Sequence, residues 1–138
     1  SCLLALMEYL NNEGKYRALY VNVESAQGAR EDVYRGIRAI LSTMEIMIEH
    51  YWGEEIKLEG KKILEESGED AAFFKALSDL SKQIKKPLVL MLDEIDSLIG
   101  DTLISVLRQL RAGYTNRPDG FPQSIILCGV RDVRDYRI

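Results

Sequence analysis

The chain has 138 residues, a formal net charge of −4, and 46% hydrophobic against 29% charged residues, which fits one compact domain with a sizeable core and excludes a disordered or collagen-like chain. No uninterrupted apolar run approaches the roughly 18 residues of a membrane span, and the opening SCLLALMEYLNNEG has neither a basic segment nor a small-residue cleavage site, so membrane insertion and export are not expected. Two cysteines, Cys2 and Cys128, are too few for a disulfide scaffold and wrongly spaced for a zinc knuckle; they read as reduced thiols of a cytoplasmic protein.

Leu3, Leu6, Met7 and Leu10 form one helical face over residues 2–13, which Asn11, Asn12 and Gly14 end. RALYVNV, residues 17–23, is β-branched and aromatic with alternation at Leu19, Val21 and Val23, a strand running into a polar loop at 24–28. Val33, Ile37, Ile40, Met44 and Ile48 then predict a long helix through residue 50, broken at Tyr51-Trp52-Gly53.

Residues 54–70 hold seven acids, three lysines and glycines at 60 and 68, and predict a solvated helix-and-loop insertion. Asp70 is placed to cap a helix whose face is Phe73, Leu77, Leu80 and Ile84, with Lys85 and Lys86 at the C-terminal end that the helix dipole favours for cations. Pro87 opens a strand, Leu88-Val89-Leu90-Met91-Leu92, apolar at every position as in a parallel strand buried on both faces. Asp101 is placed to cap a helix with Leu103, Val106, Leu107 and Leu110 on one face. Residues 113–123, with two prolines and two glycines, form loop before a last strand, Ile125-Ile126-Leu127-Cys128, also expected to be buried on both faces.

This order predicts an α/β fold with right-handed crossovers, a three-layer α/β/α sandwich and a mainly parallel sheet. A chain that opens on a helix and stops just after a strand is expected to be the central part, residues 1–138, of one larger domain.

The sharpest local signal is LVLMLDEID, residues 88–96. In an open α/β sheet, ligand-handling residues sit at the carboxyl ends of the strands, and a buried strand delivers Asp93 and Glu94 to that edge. Two adjacent acids there suit a magnesium-dependent phosphoryl transfer: one in the metal shell, the other orienting and deprotonating water. The plainer alternative is that Asp93, Glu94 and Asp96 end a strand and solvate a turn.

The run hhhhhDEID resembles the Walker B motif of AAA-like P-loop ATPases. SCLLALMEYLNNEGKYRALYVNVE is similar to the helix that follows a P-loop and the second strand of that family, and PQSIILCGVRDVRDYRI resembles its sensor-1 strand. The three segments cover nearly the whole chain. The resemblance implies the family strand order 5-1-4-3-2, with this chain supplying strands 2 (17–23), 3 (87–92) and 4 (124–130) and lacking strands 1 and 5. It also implies ATP and Mg²⁺ as ligands of the parent protein, with Asp93 in the metal shell and Glu94 as the water-activating base.

GxxxxGK[ST], the phosphate-cradling loop of the family, does not occur in these residues, so the chain alone is expected to bind ATP weakly and to be inactive. Ser1 matches either the metal-binding hydroxyl of that motif or the residue after it. Sensor 1 is usually Asn, Ser or Thr, whereas here Cys128-Gly129-Val130 precede Arg131 and Asp132, which are carried as the sensor region. Residues encoded upstream of Ser1 discriminate this reading from two rivals, a nucleotide-dependent switch or scaffold with little turnover and an α/β interaction module without nucleotide.

Charge is uneven. Residues 108–138 hold six arginines, no lysine and three aspartates, while residues 1–107 hold 12 basic and 19 acidic residues. Arginine without lysine favours fixed contacts with carboxylate or phosphate over a diffuse basic surface, and aromatics do not interleave with basics, so nucleic acid is not indicated. The alternative is local pairing with Asp132 and Asp135. Glu24 reads as a loop carboxylate or as a group facing a nucleotide or neighbouring subunit. His50 reads as a helix-end histidine, and Cys128 as a small core residue. With strand 1 missing, the strand at 124–130 would become an edge without lysine or proline, and self-association through it is expected. Other protein partners are not specified by the sequence.

Overall fold

The computed structural model describes residues 2–129. Three strands, β1 (Arg17–Asn22), β2 (Leu88–Asp93) and β3 (Ser124–Cys128), form one parallel sheet in the order β1-β2-β3. The α-helices among the described residues are α1 (Cys2–Glu13), α2 (Val33–Trp52), α3 (Gly60–Ser67), α4 (Ala72–Gln83) and α5 (Gly100–Ala112). Short 3₁₀ turns occupy Val23–Ala29, Ile95–Ser97 and Tyr114–Asn116. No helix among the described residues is long and apolar enough to cross a membrane.

Side-chain alternation along the strands divides the core in two. Leu19, Val21, Leu88, Leu90 and Leu92 join Ile37, Ile40 and Met44 of α2, Phe73, Leu77 and Leu80 of α4, and Val106 and Leu110 of α5 in the larger cluster. Ala18, Val89 and Met91 pack with Met7 of α1 on the opposite face, with Leu3, Leu10, Tyr20 and Ile126 beside them. Helices thus cover both faces, and β2 is buried along its apolar length as its composition predicts. Each Leu, Ile or Phe taken fully out of water stabilises the fold by about 1.5–3 kcal/mol.

Four local expectations need correction. Asp70 does not cap α4: the N-cap position is Ala71, without a side-chain bond, and Asp70 pairs instead with Arg108 at 3.3 Å. The α4 amide of Phe74 is satisfied from across the core, by Gln109 Oε1 at 3.0 Å. Asp101 lies inside the first turn of α5, whose N-cap is Ile99. The segment at 54–70 is not merely a solvated insertion, because Ile56, Leu58 and Leu64 enter the main core while its acids stay outside. β3 is not buried on both faces: its residues are half-buried or exposed.

Packing sets Gly36 between α2 and α5. A Cβ on Gly36 would stand 2.6 Å from Thr102 Cγ2, so only glycine lets α2 approach the start of α5 this closely.

Candidate functional site

All three strands end at the same edge, and the register sets Asn22 and Cys128 level with Asp93 on either side. Counting in twos from Ala18 and Met91 puts Tyr20, Asn22 and Asp93 on the α1 face. Only three residues separate α1 from β1, so α1 runs back against the strands and starts at this carboxyl edge. Asp93 therefore stands near the N-terminal end of a helix, where the macrodipole favours negative charge.

Both oxygens of Asp93 accept hydrogen bonds. Oδ2 takes the Tyr20 hydroxyl at 2.7 Å, and Oδ1 takes the backbone N–H of Glu94 at 2.9 Å. Burial first, and the bond to Asp93 second, push the Tyr20 phenol up to about 12.

Glu94 leaves the strand in the left-handed conformation, φ 60° and ψ 39°, and starts the 3₁₀ turn at Ile95. This backbone costs a non-glycine residue about 1–2 kcal/mol. On the neighbouring strand, Asn22 Oδ1 accepts the N–H of Glu24 at 2.9 Å and fixes the entry to the 3₁₀ turn after β1. The two turns meet, and the carboxyl of Glu24 bonds that of Glu94. That bond, then burial, then the charges of Glu24, Asp93 and Asp96, raise the Glu94 carboxyl above its ordinary range.

Cys128 is half-buried, and burial followed by the charge of and bond to Asp93 raises its thiol, so it is not an activated nucleophile. His50 lies in the last turn of α2, edge-on to Tyr51 at a centroid distance of 4.6 Å, far from the carboxyl edge. Among the described residues, no group of three or more His, Cys, Asp or Glu side chains is arranged to hold a metal ion. Ser1, Arg131 and Asp132 lie outside the described residues.

The sequence singles out Asp93 and Glu94 at this edge, and the structure adds two side chains bonded to them. Tyr20 read only as a strand aromatic, although its even spacing from Asn22 marks the same face. Glu24 read as a loop carboxylate or as a group facing a nucleotide or neighbouring subunit, and the register of β1 on β2 brings it to Glu94. No protein-family model, curated protein or solved structure matches the chain.

Proposed function

We propose that the chain is the Walker B and sensor-1 part of an AAA-like P-loop ATPase, a cytoplasmic protein that binds ATP with Mg²⁺ and hydrolyses the β–γ bond. The observation that carries this reading is the pair Asp93–Glu94 at the end of the central described strand, beside the start of α1. The parallel order β1-β2-β3 supports it, because it is the adjacency of family strands 2, 3 and 4.

The donor set fits the ion. Asp93 offers hard carboxylate oxygens with about four acceptor sites between them, and the bonds from Tyr20, Glu94 and Cys128 leave room for a ligand. One or two protein carboxylates with substrate phosphates and waters are the usual way this cation is held. When bound, Mg²⁺ neutralises charge on the transferring phosphoryl group.

Asp93 would hold the ion, and Glu94 would accept the proton of the attacking water at its carboxylate. A carboxyl raised above its ordinary range is a stronger base near neutral pH, the direction general-base catalysis favours. The α1 terminus adds a field that favours the anionic substrate. Ser1 would add a hydroxyl to the metal, and Arg131 with Asp132 would contact the phosphates. Equilibrium binding of ATP to the whole protein tests the reading: affinity should fall without Mg²⁺, and Asp93→Asn should remove that dependence. Equal affinity with and without the ion contradicts it.

A further inference from the structure

We infer that Tyr20 is a positioning residue for Asp93, holding the carboxylate in one fixed orientation for the magnesium shell; this rests on the ATPase reading above. The register of β1 on β2 sets Tyr20 opposite Met91, two residues before Asp93 and on the same face. Such a diagonal neighbour lies within reach of an aromatic side chain. The half-buried Tyr20 ring packs against the small cluster of Met7, Ala18, Val89 and Met91, which restrains where its hydroxyl can lie.

From there the hydroxyl donates to Oδ2 at 2.7 Å, a short bond to a charged acceptor, while the Glu94 N–H holds Oδ1 at 2.9 Å. With both oxygens held, the carboxylate cannot turn about its Cβ–Cγ bond without breaking one of them. A carboxylate already ordered has less freedom to lose when the ion arrives, and the outer partners of a metal-binding group typically contribute about 10- to 100-fold in metal affinity. A tyrosine that only satisfied its own hydroxyl would leave metal affinity unchanged when that hydroxyl is removed.

Tyr20→Phe in the whole protein separates the two, since it keeps the ring in its cluster and deletes one donor. The Mg²⁺ concentration giving half-maximal ATP binding, and that giving half-maximal turnover, should both rise about 10- to 100-fold, with kcat at saturating Mg²⁺ and the melting temperature little changed. Unchanged Mg²⁺ midpoints, or a fall in kcat alone, would overturn the assignment. The Asp93 ¹³Cγ resonance without metal or nucleotide is a second readout: it should shift in Tyr20→Phe, and no shift would mean that the hydroxyl does not hold the carboxylate. If wild-type protein shows no Mg²⁺-dependent ATP binding, the ATPase reading fails by itself, while the ¹³Cγ readout still decides whether Tyr20 holds Asp93.

Discussion

The side chain of Asn11 takes the place of a neighbouring strand at Ala18. Its Nδ2 donates to the Ala18 carbonyl at 3.1 Å and its Oδ1 accepts the Ala18 N–H at 2.8 Å. Trp52 Nε1 donates to the same carbonyl at 3.3 Å. The N–H of Arg17 turns inward to Pro87, so that of Ala18 points out of the sheet, and the outer edge of β1 is closed by side chains at this point.

The outer edge of β3 carries no such closure among the described residues. Gln123 N–H turns inward to Leu88, which sends the backbone groups of Ser124, Ile126 and Cys128 outward along an apolar strand, and Leu127 is 43% exposed. The 138-residue chain is expected to self-associate through 124–130, giving a mass that rises with concentration in light scattering after size exclusion. Leu127→Lys, which puts a charge on that edge, should return it to a monomer. Association that persists in Leu127→Lys but grows in Asn11→Ala would move the pairing to β1.

The start of α4 gives a stability test. Gln109 is buried, accepts the Phe74 N–H at 3.0 Å, and donates to the Glu69 carbonyl at 2.9 Å and Ser105 Oγ at 3.0 Å. Gln109→Leu strands those groups and should cost about 1–3 kcal/mol in denaturant unfolding. Asp70→Ala removes only an exposed ion pair and should cost about 0–1 kcal/mol. Equal losses would restore Asp70 as a cap.

The strand ends and the contacts made across them differ in how far the sequence disclosed them. An unbroken apolar run ending in Asp93-Glu94 identifies the middle described strand and the acids at its carboxyl edge, because burial on both faces leaves no room for polar residues. The bond from Tyr20 to Asp93 spans 73 positions, and no local pattern states the register that creates it. The segment at 54–70 misleads because its acids outnumber Ile56, Leu58 and Leu64, although those three face the core. For β3, apolar composition specifies what the strand tolerates, while its exposure depends on which neighbours lie beside it.

The Glu24–Glu94 pair predicts a pH dependence of stability. The Glu94 carboxyl is raised in the folded state above its ordinary 4.5, so the folded chain keeps the proton to higher pH than the unfolded chain. The stability this contributes is fully present below the unfolded value and is lost as pH rises through the folded one. Glu94→Gln should therefore melt at a higher temperature than wild type near pH 7, and the gain should vanish below about pH 4. The same gain at both pH values would show that the two carboxyls do not interact.

Single-turnover hydrolysis of MgATP by the whole protein and its Glu94→Gln variant, with ATP affinity measured alongside, tests whether Glu94 is the water-activating base. The amide keeps the shape of the side chain but cannot accept the proton of the attacking water. Affinity should be retained while the rate falls about 100- to 10,000-fold. A Glu94→Gln rate equal to that of wild type, with ATP bound, would mean that Glu94 does not activate the water.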